Sequence, residues 1–258
     1  MQSTFFKLLW AVPVGVLSCS AFAEESKQPV ANGLISGNIG LVSKYIYHGG
    51  VENDDIAIQG GLEYAHKSGI SVGYWGSTLS YDPSDEAQDH GFEHNLYIAY
   101  GQKIAQDWSY NLKATAYIYQ NGGTVYADQE NQRKTTAFDV LGEITYKNLT
   151  LGASIILADA ASANAGDVYF SAAYSHPLPQ DFSLNAVFGA SVYNSSHDDD
   201  IVQTKKVFAF NEVRIGVSKV IAQSDVSASL DYVLGGKNRL GEDFADNMVF
   251  GLNYRFSG

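Results

Sequence analysis

The sequence predicts an all-β chain, a 12-stranded antiparallel transmembrane β-barrel with short periplasmic turns and long extracellular loops. Three observations carry this reading. Twelve segments alternate apolar with polar residues, the period-2 pattern of strands with one oily and one wet face. The gaps between these segments run long, short, long, short to the end of the chain. Tyrosines recur on the apolar face just before the short gaps. A soluble sandwich turns its oily face inward and has no need of alternating gaps. An outer-membrane barrel turns that face to lipid and has short turns at one end and longer loops at the other.

The N-terminus reads as an export signal. Lys7 supplies the positive charge, residues 8–17 form an apolar run, and Ala21-Phe22-Ala23 has the small-x-small form of a cleavage site. Cleavage between Ala23 and Glu24 makes residues 1–23 a signal peptide, 24–33 a polar lead-in and 34–258 the barrel. The apolar run falls short of the ~20 residues of a spanning helix. The alternative is a lipoprotein cut before Cys19, after Val16-Leu17-Ser18. Cleavage at Ala23 removes the single cysteine, so the mature chain needs neither a disulfide nor a thiolate.

Composition narrows the function. Charged residues make up 17% of the chain, below the usual quarter for soluble domains. The chain holds 17 Tyr and 25 Gly but only 5 Pro, a mixture that suits many strands with amphipathic rims. A net charge of −12 argues against nucleic acid as a partner.

The strands follow in order. The first puts Ile39, Leu41, Tyr45 and Tyr47 opposite Asn38, Lys44 and His48. In the second, Ile56, Ile58, Gly60, Leu62 and Tyr64 share one face; after Lys67-Ser68-Gly69, Ile70, Val72 and Tyr74 resume it. Phe92, Leu96, Ile98 and Tyr100 come next, then Trp108, Tyr110, Leu112, Ala114, Ala116 and Ile118. Phe138 to Tyr146, Leu149 to Leu157, Val168 to Tyr174 and Phe182 to Val192 repeat the alternation. Val207, Val213, Ile215 and Val217, then Val226 to Leu234 and Met248 to Phe256, complete the twelve. An even count puts both termini on one side. His94 and Asn211 fall on the apolar face; a position at the rim accounts for His94 and a β-bulge for Asn211.

The short connections are residues 67–69, 102–107, 147–148, 177–181 and 219–224; the long ones are 49–55, 82–91, 120–134, 159–166, 194–206 and 235–245. Asp, Asn, Gly and Ser fill the long set, as solvated loops require. Tyr64, Tyr100, Tyr146, Tyr174 and Tyr254 form a predicted periplasmic aromatic girdle, where an apolar ring and a wet hydroxyl suit the interface. A strand of about 11 residues at ~3.3 Å and ~40° tilt spans roughly 27 Å, close to the ~25 Å apolar band of such barrels. The alternative is a soluble barrel or sandwich with these faces inverted.

Three stretches also resemble a known family. Gly37-Asn38-Ile39-Gly40-Leu41-Val42-Ser43-Lys44-Tyr45, residues 59–69 and Gly73-Tyr74-Trp75-Gly76-Ser77 resemble the opening of the TorF-type porins of Gram-negative bacteria. The resemblance implies an outer-membrane β-barrel with a porin role. It covers about the first 60 mature residues closely and the rest in strand pattern, with Tyr254-Arg255-Phe256 at the end. The chain departs from it at His48-Gly49-Gly50-Val51-Glu52, where the family has an Arg-Gly-Ile-Ser-Gln-like stretch, and in the Ser257-Gly258 that follow Phe256. Outer-membrane lipid and, during insertion, the barrel-assembly machinery are the implied partners.

The polar face defines the expected lumen. It carries Lys44, Glu63, Glu93, Lys113, Asp139, Glu143, Asp167, Glu212, Arg214, Asp225, Asp231 and Arg255, eight acids against four bases. Carboxylate rings favour cations through a narrow pore. Twelve strands at ~4.8 Å spacing and ~40° tilt give a cylinder roughly 24 Å wide, which side chains narrow to about 10 Å. The expectation is a diffusion channel for ions or small solutes, narrow and weakly cation-selective. Mutual pairing of these charges to fill the bore is the alternative for each of them.

Other readings have less support in the residues. The loops around Asp82, Asp85, Glu86, Asp89 and His90, and His197-Asp198-Asp199-Asp200, are oxygen-rich but lack the glycine and spacing of a calcium loop; no metal or other cofactor is expected. A hydrolase needs a nucleophile, a base and an orienting group together. His66-Lys67-Ser68-Gly69 lies at a periplasmic turn, His94 has no evident serine, and His197 is the one rim candidate beside acids. The chain therefore reads as no enzyme. A structural or adhesin-like barrel is the third class.

Overall fold

The computed structural model describes residues 32–83, 88–126, 131–195, 201–221 and 224–258. The expected signal peptide with its Ala23–Glu24 junction, the lead-in up to residue 31, and Asp85, Glu86 and residues 197–200 lie outside them. The strands are β1 (Gly33–Val42), β2 (Tyr45–Tyr47), β3 (Gly50–Asn53), β4 (Ala57–His66), β5 (Ile70–Leu79), β6 (Gly91–Ala105), β7 (Trp108–Tyr119) and β8 (Thr124–Tyr126). They continue as β9 (Gln132–Lys134), β10 (Ala137–Tyr146), β11 (Leu149–Ile156), β12 (Val168–Leu178), β13 (Phe182–Val192), β14 (Phe208–Val220), β15 (Val226–Gly235) and β16 (Asn247–Ser257). Among the described residues, no helix is long and apolar enough to cross a membrane.

Twelve of these strands close into an antiparallel barrel in the order β1-β16-β15-β14-β13-β12-β11-β10-β7-β6-β5-β4. Each strand pairs with its sequence neighbours in the wall, and β1 closes the ring on β16 from Ser36↔Ser257 to Val42↔Gly251. Closure leaves no unpaired sheet edge, which matters wherever water is excluded. The connections at one end are residues 67–69, 106–107, 147–148, 179–181 and 221–225; at the other they run through 43–56, 80–90, 120–136, 157–167, 193–207 and 236–246.

The alternation sorts the side chains into an exterior and an interior. Ile58, Leu62, Leu96, Ile98, Leu112, Leu151, Phe170, Leu184, Phe188, Ile215, Leu230 and Phe250 are all exposed on the outside. On the opposite face of the wall strands, Gln59, Glu93, Lys113, Asp139, Glu143, Glu212, Arg214 and Asp231 are buried within the bore. Exposed leucine and phenylalanine beside buried glutamate and lysine inverts the soluble pattern. The inside-out alternative fails on the same residues: Leu112 is 52% exposed, whereas Lys113 is 5% exposed.

Asn211 occupies a bulge. Gly189 pairs with Glu212 and Ala190 with Phe210, so Asn211 is the extra residue of β14. It turns inward, fully buried. It accepts from Ser191 Oγ at 2.7 Å and donates to Tyr193 Oη and the Lys237 carbonyl at 3.0 Å each. His94 stays on the outer face near the start of β6, with Nδ1 2.9 Å from Tyr74 Oη and its ring 4.7 Å from Phe92.

The first strand departs from expectation. Alternation continues from Ile39 through Tyr47, yet β1 stops at Val42 and the chain bends at Ser43 and Lys44. Tyr45, Ile46 and Tyr47 leave the wall and pair with β3 as a short hairpin. Tyr45 and Ile46, each 2% exposed, join Val42, Ala57, Trp75, Leu79, Val233 and Val249 in an apolar cluster inside the barrel. The long connection is thus a hairpin folded into the mouth of the bore.

Candidate functional site: the occupied lumen

The hairpin crosses the bore and touches opposite walls. On one side, Tyr45 stacks edge-on against Trp75 of β5 with ring centroids 5.6 Å apart, and its hydroxyl donates to Glu93 of β6 at 3.3 Å. Tyr47 Oη donates to Tyr117 Oη of β7 at 3.3 Å. On the other side, the His48 ring lies between Tyr47 (3.8 Å) and Tyr169 of β12 (3.5 Å), nearly parallel to both. Arg214 of β14 donates to the Ile46 carbonyl at 3.4 Å.

Local chemistry explains the tip. Tyr47 pairs with Gly50 across His48 and Gly49, which have φ of 48° and 84°. Two successive left-handed residues make the tight turn that matches strand twist. At Gly49 a Cβ would come 2.5 Å from the Asn211 carbonyl and 2.9 Å from the Phe244 ring. Glycine is therefore required twice over, by φ and by the closeness of the wall. Farther along, Asn53 donates to the Thr78 carbonyl at 3.0 Å, and Tyr81 Oη donates to Glu52 at 2.5 Å. Burial pushes the His48 pKa down to about 3 and the Glu52 carboxyl above its ordinary range, the latter opposed by the Tyr81 hydrogen bond.

The expected lumen residues fall into three groups. One lies on β4, β6, β7 and β10. Glu63 accepts from Tyr97 Oη at 3.0 Å, Glu93 from Asn95 Nδ2 at 2.7 Å, Glu143 from Asn111 Nδ2 at 3.0 Å, and Asp139 from Tyr117 Oη at 3.2 Å. Lys113 sits among them, buried, with Nζ 5.7 Å from the Tyr97 ring centre. The second group lines β14 and β15. Glu212 accepts from Tyr169 Oη at 3.0 Å and pairs with Arg214 at 3.3 Å, while Asp231 is buried nearby against Gly216. Arg255 is half-buried on β16, opposite Asn38.

Three residues of the expected set lie elsewhere. Lys44 is half-buried in the bend after β1, because the chain leaves the wall there. Asp225 is exposed in the turn before β15, where its carbonyl accepts from the Arg255 amide at 3.0 Å. Asp167 belongs to a loop latch. It holds Arg239 through both guanidinium nitrogens at 2.9 and 3.3 Å and accepts the amides of Asn164 and Asn194 at 2.8 and 2.7 Å. The expected girdle residues Tyr64, Tyr100, Tyr146, Tyr174 and Tyr254 are all exposed on the outer face.

The inward tyrosines were legible only as parity. Tyr97, Tyr117 and Tyr169 alternate with exposed apolar neighbours and so belong to the wet face. Tyr45 and Tyr47 gave no such sign, because they continue the apolar parity of β1. The small-residue turn His48-Gly49-Gly50 was the one available signal for a hairpin there. Among the described residues, no cluster of three His, Cys, Asp or Glu has metal-binding geometry. His66 Nδ1 lies 2.9 Å from Ser68 Oγ and accepts the Ser68 amide at 3.2 Å, so this pair caps its own turn.

Several solved structures share a remote likeness. An outer membrane channel from Pseudomonas putida F1 aligns with a TM-score of 0.47 at 13% identity, over 90% of this chain and 97% of that one. OprD from Pseudomonas aeruginosa aligns with a TM-score of 0.45 at 13% identity, over 87% of this chain and 66% of that one. Outer membrane phospholipase A from Escherichia coli aligns with a TM-score of 0.42 at 11% identity, over 90% and 94%. The chain thus spans just under two thirds of the OprD chains, and nothing about its activity follows from a likeness this remote. No curated protein matches the chain in sequence. A family described as "Bacterial protein of unknown function (Gcw_chp)" matches residues 25–247, and the chain belongs to that family.

Proposed function

We propose that this chain is a bacterial outer-membrane channel for the diffusion of ions or small solutes, narrow and weakly cation-selective. One observation carries the reading: a closed wall with apolar side chains facing out and ionic ones enclosed. Such a surface is stable only where hydrocarbon replaces water. Across the wall, Glu63, Glu93, Asp139, Glu143, Glu212 and Asp231 face Lys113, Arg214 and Arg255, an acidic excess that supports cation preference. The hairpin obstructing the mouth supports narrowness. In this orientation, short turns and both termini face the periplasm, long loops face outward, and the tyrosine girdle meets the inner headgroups. Export by residues 1–23, insertion by the barrel-assembly machinery and kinship with the TorF-type porins complete the reading.

Planar-bilayer recording of the purified full chain tests it. The expected result is a small conductance whose reversal potential in a salt gradient favours cations. No conductance, or a clear anion preference, overturns it. The hairpin that fills the bore favours a second reading, a structural or surface-interaction barrel. A barrel that inserts fully but never conducts, even after the hairpin is deleted, selects that reading.

A further inference from the structure

The hairpin tip meets a second segment, residues 236–246 between β15 and β16. A Cβ at Gly49 would stand 2.9 Å from the Phe244 ring, and one at Gly50 would stand 3.5 Å from it. This half-buried ring therefore lies against both tip glycines. Among the described residues, no hydrogen bond ties His48, Gly49 or Gly50 to the wall. Packing alone holds the tip, so the position of Phe244 matters.

The segment that carries Phe244 is braced along its length. The amides of Gly236 and Lys237 donate to the Asn211 and Phe210 carbonyls at 2.7 Å each, and the Phe244 amide donates to the Gly236 carbonyl at 2.8 Å. Lys237 pairs with Asp243 across the segment, and Asn238 Oδ1 accepts the amides of Leu240 and Glu242 at 2.9 and 3.0 Å. A segment bonded to itself in this way moves as one piece.

Arg239 ties that piece down. Its carbonyl accepts the amides of Lys205 and Lys206 at 3.0 and 2.9 Å. Its guanidinium donates to Thr204 Oγ1 at 2.8 and 3.2 Å, lies 4.9 Å from the Tyr193 ring centre and forks onto Asp167. The Arg239 and Asp167 side chains are only 14% and 9% exposed. Removing one partner from so enclosed a pair costs far more than breaking an exposed one. Asp167 is itself fixed by the Asn164 and Asn194 amides, and Arg133 Nη1 holds Asn164 Oδ1 at 2.7 Å.

We propose that residues 236–246 are a clasp on the hairpin. Phe244 holds the tip, and the Arg239–Asp167 pair fixes the segment that places Phe244 there. Breaking the pair frees the clasp, and lifting the clasp is the step that lets the hairpin leave the bore. The clasp rests on the reading of the hairpin as the obstruction of a channel and adds what controls that obstruction.

The test follows hydrogen–deuterium exchange of the amides of residues 45–53 in the full chain in detergent, together with conductance in planar bilayers. Phe244→Ala removes the ring and Arg239→Gln removes the pair. Each is expected to speed exchange of the hairpin amides about tenfold, the scale of one partly buried aromatic ring, to leave the wall strands protected and to raise conductance. Heat-modifiable gel mobility identifies a variant that fails to fold; if Arg239→Gln does, Phe244→Ala decides the matter alone. Unchanged hairpin exchange in folded Phe244→Ala overturns the clasp, and with cation-selective conductance it leaves the channel reading standing. Faster exchange in Phe244→Ala but not in folded Arg239→Gln overturns the control by the Arg239–Asp167 pair. Faster exchange in both variants without any conductance supports the clasp and removes the channel reading.

Discussion

Replacing Gly49 with alanine should release the hairpin from the bore. Tyr45 and Ile46, each 2% exposed, are the side chains the hairpin buries most completely. At about 1.5–3 kcal/mol for each buried apolar side chain, they hold it in place by roughly 3–6 kcal/mol. Gly49 has a φ of 84°, where a Cβ adds about 1–2 kcal/mol. That Cβ would also stand 2.5 Å from the Asn211 carbonyl, a backbone atom fixed by the β14 bulge. Overpacking of this kind adds about 1–3 kcal/mol. The sum, about 2–5 kcal/mol, is of the same size as the docking energy and shifts the docked-to-released ratio by a factor of about 30 to several thousand. The ladders that close the wall do not run through Gly49, so the barrel should remain folded. The assay pairs single-channel conductance with heat-modifiable gel mobility: conductance rises and mobility is unchanged. Wild-type conductance in a folded Gly49→Ala protein refutes the argument that this hairpin obstructs the bore.

Three further outcomes follow from the geometry. Leu112→Arg, on the exposed face near mid-barrel, should cost about 2–4 kcal/mol in urea titrations of folding into vesicles; a neutral effect would mean that this face does not meet lipid. Asn211→Ala strands the Ser191, Tyr193 and Lys237 groups that Asn211 satisfies and should lower the folding free energy in the same titration by about 2–3 kcal/mol, while Asn211→Asp keeps an acceptor for Ser191 and Tyr193 but sets a buried carboxylate oxygen against the Lys237 carbonyl. Acid should loosen the hairpin through His48. Its pKa of about 3 when docked lies below the ordinary 6.5, so docking is fully supported above 6.5 and is lost as pH falls towards 3. Between pH 7 and pH 5 the loss is about 2 kcal/mol. Glu52, with its pKa raised, acts in the opposite sense and strengthens docking in acid. His48→Gln removes the histidine's share, so wild-type conductance should rise towards pH 5 more steeply than that of the variant. Identical pH profiles would sink this claim.

The fold was legible because each wall strand carries its own instruction. Alternation at Ile58 to Tyr64 or Leu112 to Ile118 needs only period 2 to assign its faces, and closure then leaves no choice of side. Even the Asn211 bulge showed as a break in phase. The site was less legible. Glu63, Glu93, Lys113, Asp139 and Glu143 could be assigned to the interior by parity, but parity does not say which hydroxyl or amide each one meets. Asp167 shares a polar character with them, yet it lies one residue outside β12 and is claimed by Arg239 from a loop 72 residues away in sequence.

By itself, the sequence determined a wall: twelve amphipathic strands whose two faces require different solvents, because side-chain direction in a strand is a local property. Only the tertiary structure decided what fills that wall. Tyr45 and Tyr47 continue the oily parity of β1, and nothing local distinguishes them from Ile39 and Leu41. They turn inward because Trp75, Glu93, Tyr117, Tyr169 and Arg214, brought together by closure from five separate strands, offer them a better-packed and better-bonded place than the wall does.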